Sequence, residues 1–181
     1  MGAEISQAFA LLQDYERRSL EHTPGTPEQI DAAGLWRGVG FRIGQRRLAS
    51  MFGEVMEIIT LPHPTPVPGA QNWMLGVANI RGTLLPVVDL RLYLEGERTV
   101  LHEVQRALVV RQPGGNVAVI IDELLGQRHF TDEQRCEPGD LAQGRYADYV
   151  KQAYDLGGTQ YGVFNMALLT RDVNFRQAAL V

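Results

Sequence analysis

The sequence is poor in cysteine and has no long apolar run. Its 181 residues contain one cysteine, Cys136, so an internal disulfide is excluded, and this usage is typical of a reducing compartment. No apolar stretch approaches the roughly 20 residues that a membrane-spanning helix needs. The first residues lack the basic and apolar regions of a secretory signal. These absences predict a cytoplasmic protein that does not itself insert into a membrane.

Signatures of catalysis and of metal binding are also missing. The four histidines lie far from one another in the sequence. There is no Cys-x-x-Cys pair, no Gly-x-Ser-x-Gly elbow and no phosphate-binding loop. We therefore predict no catalytic residue, no cofactor and no metal site. One enzymatic alternative stays open, a small hydrolase that uses Cys136 as its nucleophile together with His129.

Positive charge is in short supply as well. The formal net charge is −4 and the sequence pI is about 5.6, whereas phosphate binding needs a dense positive surface. The charge argues against a second alternative, a nucleic-acid-binding barrel of the SH3 or OB type, whose signature is a basic strand face with aromatic side chains. Hydrophobic residues make up 45 % of the chain, which is enough for a real core.

The N-terminal region has a helical pattern. Apolar residues recur with the three-and-four spacing of a single helix face, which predicts an amphipathic helix over residues 4–20. These residues are Ile5, Ala8, Phe9, Leu12 and Tyr15. A second, short helix is predicted over residues 27–33. We expect residues 1–35 to form a helical extension, whose first helix packs on the body or mediates self-association.

From Trp36 onward the pattern changes to that of β-structure. Apolar residues alternate with glycine and polar residues, and the short runs are separated by turns rich in glycine and proline. The predicted β-type runs cover residues 39–43, 47–52, 54–61, 76–91 with a break at 79–82, 106–111, 117–122, 149–156 and 161–165. A rigid loop is predicted over residues 62–69, a helical turn over 72–75 and a short helix over 166–170. This pattern predicts a mainly β protein built as small barrels or sandwiches.

The break at residues 79–82, Asn-Ile-Arg-Gly, is the most informative feature of the chain. Asn79 and Gly82 are the residues best suited to the positive φ angles of a turn. The turn carries a guanidinium, that of Arg81, between two apolar strands. Because nothing nearby supplies a nucleophile, a base or a metal ligand, the stretch is typical of a contact surface rather than of a reaction centre.

Three roles stay open for Arg81: a solvated turn residue, an internal partner of Glu57 or Asp89, or an interface anchor. Glu57 lies within an apolar run, and in a regular strand it would share a face with Val55 and Ile59. It is either an edge charge that discourages pairing between sheets, or a carboxylate that selects a basic or hydrogen-bonding partner within a docking patch.

Several blocks of the sequence resemble the CheW family of chemotaxis coupling proteins. They are Val55-Met-Glu-Ile-Ile, Thr65-Pro-Val-Pro-Gly-Ala, Trp73-Met-Leu-Gly-Val-Ala-Asn-Ile-Arg-Gly and Leu85-Pro-Val-Val-Asp-Leu, with a weaker likeness through Ile121-Asp-Glu-Leu-Leu-Gly and Val163-Phe-Asn-Met-Ala-Leu-Leu. The resemblance runs from about residue 36 to residue 169. Within the family the chain is most similar to the PilI type, which serves the pilus-linked chemosensory pathway of twitching motility.

The resemblance implies a CheW-like domain over residues 36–181. Its fold would be two small SH3-like β-barrel lobes of five strands each, followed by a short C-terminal helix. It also implies a non-catalytic adaptor in signal transduction. Such an adaptor bridges the cytoplasmic tip of a methyl-accepting chemoreceptor and the regulatory domain of a CheA-type histidine kinase, here in the pathway that controls type IV pili.

The same resemblance assigns the contact residues. The family's receptor-contact positions correspond to Val55, Glu57 and Arg81, and Asn79 and Gly82 are expected to form the turn that presents Arg81. Asn165 departs from the family, which often has aspartate at this position before its last helix.

Overall fold

The computed structural model describes residues 34–179. The strands are β1 (Leu35–Ile43), β2 (Arg46–Met51), β3 (Val55–Thr60), β4 (Met74–Ile80), β5 (Thr83–Asp89), β6 (Arg106–Gln112), β7 (Gly115–Ile121), β8 (Glu123–Thr131), β9 (Arg135–Cys136), β10 (Val150–Leu156) and β11 (Thr159–Phe164). The α-helices are α1 (Leu90–Glu95), α2 (Met166–Arg171) and α3 (Val173–Arg176). The two helices predicted over residues 4–20 and 27–33 lie outside the described residues, whereas Leu35, expected to end the helical extension, already belongs to β1.

The strands form two sheets, which define two lobes. Lobe A has the strand order β8-β1-β2-β11-β10-β9, and lobe B has the order β3-β6-β7-β5-β4. The mainly β class and the two-lobe organisation are therefore confirmed. The expected five strands are present in lobe B, but lobe A has six, because the two-residue strand β9 pairs with the edge of β10.

Apolar packing divides into three clusters. The largest contains residues of both lobes and of the helices, among them Phe41 and Phe164 from lobe A and Leu108 and Val119 from lobe B. A second cluster belongs to lobe B alone and includes Ile59. A third, aromatic cluster lies in lobe A. Because the largest cluster is shared, the described lobes are joined by a continuous hydrophobic core.

The predicted hairpins are confirmed. Strands β6 and β7 pair with Gln112 opposite Gly115, so the turn is Pro113–Gly114. Strands β10 and β11 are joined by Gly157 and Gly158, which have φ angles of 62° and 86°. These angles suit the twist of a two-residue hairpin turn, and glycine adopts them without strain. The terminal helix expected over residues 166–170 is also present as α2.

Two local predictions are wrong, and two strands are missed. The helical turn expected over residues 72–75 is a non-helical turn at Asn72–Trp73 that leads straight into β4. The β-type run expected to continue to Arg91 stops at Asp89, which instead starts α1 because its Oδ1 accepts a hydrogen bond from the backbone N–H of Leu92 at 3.1 Å. Strands β8 and β9 lie outside the predicted β-type runs.

Candidate protein-binding site

A two-residue turn presents Arg81 between β4 and β5. Ile80 and Thr83 form the last strand pair, and the two residues between them, Arg81 and Gly82, have φ angles of 51° and 84°. These are the angles of a type I′ turn. The four-residue break read from the sequence is therefore shorter than expected. Asn79 stays in the strand, and Arg81 takes the positive φ in its place.

Asn79 nonetheless contributes to the turn. Its side-chain Oδ1 accepts a hydrogen bond from the backbone N–H of Gly82 at 2.8 Å. A short polar side chain that bonds to the backbone three residues later fixes a turn in this way. The contact supports the roles predicted for Asn79 and Gly82, which were to form the turn that carries Arg81.

The backbone of Arg81 is strained. Among the described residues, it is the only non-glycine residue with a positive φ. The left-handed conformation costs a residue with a Cβ atom about 1–2 kcal/mol. Asparagine or glycine would relieve most of this strain, so the fold alone gives no reason for an arginine here. Strain of this kind concentrates at functional positions.

The guanidinium of Arg81 forms an ion pair with Glu57. Arg81 Nη2 lies 2.8 Å from Glu57 Oε1, yet the Arg81 side chain keeps 79 % of its surface exposed and the Glu57 side chain 34 %. The alternative prediction, that Arg81 pairs with Asp89, is wrong. Asp89 is buried, and its carboxylate accepts hydrogen bonds from the backbone N–H of Thr99 at 3.0 Å and from the Thr99 hydroxyl at 2.9 Å. Arg81 is thus paired but still accessible.

A bulge in β3 separates Val55 from Glu57. The register shifts between them, so that Val55 lies opposite Val110 and Glu57 lies opposite Val109. Val55 packs against the cluster shared by both lobes, whereas Val109 belongs to the cluster of lobe B. The expectation that Val55 and Glu57 share one face of a regular strand is therefore wrong, because an extra residue reverses the alternation.

Glu57 and Arg81 lie on opposite sides of a groove between the two edge strands of lobe B. The groove has a volume of about 270 Å³ and is lined by Glu57–Thr60, Pro62 and residues 79–81. Strands β3 and β4 end the strand order of the sheet, and the ion pair joins them across the gap. The gap between β3 and β4 is therefore open to solvent, and one charge of each sign lines it.

The predicted proline-rich loop pairs with the edge of β4 at Val77. Thr65 and Val77 exchange backbone hydrogen bonds of 2.8 and 2.9 Å, and the loop comes so close that a Cβ atom on Gly76 would lie 2.0 Å from the carbonyl oxygen of Thr65. Prolines at positions 64 and 66 prevent this pairing from extending. The loop therefore closes the edge of β4 near its middle and leaves the end that carries Arg81 open.

Exposed aliphatic side chains flank the groove, and the sequence analysis missed them. Leu84 lies opposite Asn79 in the hairpin and is 68 % exposed, and Ile58 of β3 is also exposed. Two adjacent leucines in a strand point to opposite faces. Because Leu85 is buried, Leu84 must point outward, so the adjacent pair Leu84-Leu85 already indicated an exposed leucine. The site thus combines two charges with apolar contact surface.

The cysteine alternative gains no support from the geometry. Cys136 lies in β9 and His129 in β8, and within residues 34–179 no hydrogen bond joins their side chains. Burial raises the pKa of the Cys136 thiol, and the nearby carboxylates of Asp155 and Glu137 raise it further. A raised pKa lowers the fraction of thiolate, which is the nucleophilic form.

Residues 34–179 contain neither a metal-binding cluster of side chains nor a membrane-spanning helix. No group of three or more His, Cys, Asp or Glu side chains in that range is arranged to hold a metal ion. No helix in the same range is long and apolar enough to cross a membrane.

Asn165, the predicted departure from the family, has a structural role. Its Oδ1 accepts a hydrogen bond from the backbone N–H of Leu168 at 2.8 Å, so it caps the N-terminus of α2. Aspartate and asparagine cap helices about equally well. The capping geometry therefore does not depend on the charge that the family often has here.

Comparison with known proteins shows the family to which this fold and site belong. The model of the CheW-like domain matches residues 37–174. The chain is a member of the CheW-like family. The matched range includes both lobes and all five predicted contact residues.

Individual CheW-like relatives are clearly similar. Protein PilI of Pseudomonas aeruginosa is 38 % identical over 128 residues, which are 71 % of this chain and 72 % of that protein. Chemotaxis protein CheW of Helicobacter pylori is 32 % identical over 113 residues, 62 % of this chain and 68 % of that protein. The crystal structure of the scaffolding protein TtCheW from Thermoanaerobacter tengcongensis matches with a TM-score of 0.64 at 17 % identity, over 77 % of this chain and 94 % of that one. This last likeness shows the fold.

Proposed function

We propose that this CheW-like protein is a non-catalytic adaptor that couples a methyl-accepting chemoreceptor to a CheA-type histidine kinase. The observation that carries the proposal is the Arg81 turn, where a strained backbone holds an exposed guanidinium at the mouth of an open groove. Membership of the CheW-like family and the scaffolding role in the name of TtCheW support it. The proposed location is the cytoplasm, where receptor arrays hold the adaptor at the membrane.

The groove is suited to the helical tip of a receptor. Arginine has five N–H donors, and only one ion pair engages Arg81 among the described residues, so donors remain for a carbonyl or carboxylate of the partner. The second oxygen of Glu57 can accept a hydrogen bond in return. Leu84 and Ile58 add apolar contact, and the ion pair holds Arg81 near its binding position before the partner arrives.

The kinase would bind elsewhere. Its regulatory domain, itself CheW-like, would pack barrel against barrel on apolar strand edges and leave the groove free. Signalling needs links that form and break, so each interface is expected at the small end of the range, about 1,200 Å² or less of total buried surface.

We further propose that the pathway controls twitching motility through type IV pili. The 38 % identity to PilI supports this assignment over a pathway that controls flagellar swimming. Deletion of the gene in its own organism tests it. Twitching is expected to fail while swimming persists, and the opposite pattern would assign the protein to the flagellar pathway.

A pull-down of the untagged chain with a receptor signalling fragment and a CheA-type kinase tests the coupling. Wild-type protein is expected to bridge the two, whereas Arg81→Ala and Glu57→Ala should lose the receptor and keep the kinase. Arg47→Ala is a matched control, since Arg47 is an exposed arginine of β2 in lobe A. Undiminished ternary assembly by both groove variants would contradict the roles of Arg81 and Glu57.

A further inference from the structure

The last eight described residues, 172–179, form a strap that runs from the end of α2 to the β3–β4 loop, residues 61–73. Phe175 is the one buried residue of the strap, and five of the eight are exposed. Segments with few buried apolar contacts open locally at a low free energy. The strap therefore depends on three kinds of contact: a carboxylate, an aromatic ring and backbone hydrogen bonding.

The carboxylate of Asp172 receives two tyrosine hydroxyls. Its Oδ2 accepts hydrogen bonds from the hydroxyl of Tyr149 and from that of Tyr93 at 3.3 Å, while Oδ1 caps α3 by accepting the backbone N–H of Asn174 at 2.8 Å. Burial would raise the pKa of Asp172, but these hydrogen bonds outweigh burial and lower it. The carboxylate is therefore charged at neutral pH, and charge-assisted hydrogen bonds are about twice as strong as neutral ones.

The aromatic contact joins the strap to the end of the β3–β4 loop. Phe175 stacks on Trp73 with ring centroids 5.6 Å apart, and it meets the ring of Tyr93 edge-on at 5.3 Å. Aromatic pairs in these arrangements add stabilisation beyond the area that they bury. Trp73 is only 8 % exposed, so the strap covers part of a tryptophan that would otherwise face solvent.

Backbone hydrogen bonding ties the strap to the same loop. The backbone N–H of Gln71 donates to the carbonyl oxygen of Ala178 at 2.7 Å, and Ala70 forms an isolated β-bridge with Ala179. Further back in the loop, Thr65 pairs with β4, and the prolines on either side of it prevent this pairing from extending. The loop is therefore held on one side by β4 and on the other by the strap.

We propose that the strap is a latch, and that its opening releases the β3–β4 loop from lobe B. Withdrawal of Asp172 leaves two buried tyrosine hydroxyls with only each other, which lie 3.2 Å apart, so the three contacts stabilise one another and open together. Once the strap is open, the loop keeps only its short pairing with β4. Pro62 of this loop lines the Arg81 groove, so the latch controls one wall of that groove. The latch itself does not depend on the receptor binding proposed above.

The fluorescence of Trp73 reports opening in the full chain. Trp36→Phe leaves Trp73 as the single tryptophan, because the sequence has two. In this background Asp172→Asn removes the charge and replaces one carboxylate oxygen with an N–H donor, so the cap of α3 is kept and the hydroxyls lose their acceptor. We expect acrylamide to quench Trp73 more strongly and its emission to shift to the red, because the strap no longer covers the ring.

Two further variants make this readout specific. Asp148→Asn is the matched control, since Asp148 is an exposed aspartate in the segment before β10, and its quenching should equal that of the parent. Phe175→Ala removes the aromatic contact instead of the carboxylate and should also raise the quenching. Equal quenching in Asp172→Asn and Asp148→Asn would overturn the latch.

Amide hydrogen exchange tests whether the loop opens with the strap. In Asp172→Asn the amides of Gln71 and Thr65 should both exchange about tenfold faster than in wild type, as expected for the loss of a hydrogen bond to a charged group. The amide of Leu108, in the core strand β6, should keep its rate. Faster exchange at Gln71 with an unchanged rate at Thr65 would overturn the release of the loop. An equal acceleration at Leu108 would overturn the latch as a separate unit, because the whole fold would then be destabilised.

Discussion

Two arginine–glutamate pairs in this protein have nearly the same length but very different surroundings. Arg46 Nη1 lies 2.9 Å from Glu95 Oε1, with 26 % and 15 % of the two side chains exposed. Arg81 Nη2 lies 2.8 Å from Glu57 Oε1, with 79 % and 34 % exposed. The distance between the two charged atoms therefore does not distinguish the two pairs. Their solvent exposure does, because it decides how much of each charged group can still contact another molecule.

The Glu95 pair is part of a closed network. Arg91 Nε reaches the other oxygen of Glu95 at 3.1 Å, the hydroxyl of Tyr146 donates to Glu95 at 3.0 Å, and the guanidinium of Arg46 lies over the Tyr146 ring at 4.4 Å. Both carboxylate oxygens are in use, and the network joins β2, α1 and the segment that precedes β10. A network of this kind stabilises the fold.

The Glu57 pair is open by contrast. It joins two edge strands, each residue retains unused hydrogen-bonding capacity, and the backbone that carries Arg81 is strained. Exposed pairs contribute only about 0–1 kcal/mol to folding, which is no more than the strain costs. The closed network suits a stabilising role for Glu95, and the open pair is compatible with the binding role that we propose for Arg81.

Removal of Glu95 should produce the largest loss of stability. Glu95→Ala leaves Arg46, Arg91 and Tyr146 without their shared partner in a half-buried site, and we expect the free energy of unfolding to fall by about 2–3 kcal/mol. Urea denaturation measures it. The control is Glu97→Ala, since Glu97 pairs with Arg91 but is 66 % exposed, and its effect should stay within about 0.5 kcal/mol. Equal losses in the two variants would remove the distinction between closed and open pairs.

Relief of the strain at residue 81 should separate stability from binding. Arg81→Asn places asparagine before glycine, the pair most favoured in a type I′ turn, and asparagine tolerates a positive φ. We expect the free energy of unfolding to rise by about 0.5 kcal/mol, which is the relieved strain less the lost ion pair. Receptor binding should fall in the same variant. A loss of stability would show that the arginine is there for the fold.

A similarly small effect is expected for the coupling within the exposed pair. A double-mutant cycle with Arg81→Ala and Glu57→Ala should give an interaction energy of about 0.2–1 kcal/mol in low salt, and less at 1 M salt because screening weakens exposed pairs. Urea denaturation at both salt concentrations measures it. A coupling of several kcal/mol that is insensitive to salt would place this pair in the same class as Glu95.

Glycine-containing turns and the alternation of apolar and polar residues made much of the fold predictable. Other elements were missed because their local sequence pattern resembles that of a different structure. The glycines near positions 114 and 157 located two hairpins. Helix α1 was missed because Leu90, Leu92 and Leu94 alternate as in a strand, although Asp89 before them and Gly96 after them are the residues that start and end a helix. Strand β8 was missed because Phe130 is the single buried residue among its nine and Gly126 interrupts it.

The sequence predicted which residues form the candidate site, but not how the backbone of β3 and of the Arg81 turn arranges them. The Asn-Ile-Arg-Gly motif located Arg81, and the acid within an apolar run located Glu57. The sequence contains no signal for the bulge in β3, which moves Val55 to the other face. From residue preference, the positive φ angles were expected at Asn79 and Gly82. The two-residue turn between Ile80 and Thr83 requires a positive φ of Arg81 instead.

Arg81 is the residue on which the proposed receptor binding depends. Isothermal titration of a receptor signalling fragment into wild-type protein and into Arg81→Ala measures this directly, with urea denaturation of both to confirm equal folding. We expect an affinity at least about tenfold lower for the variant, as at the arginine hot spots of interfaces, with stability unchanged within about 0.5 kcal/mol. Equal affinities of the two folded proteins would contradict it.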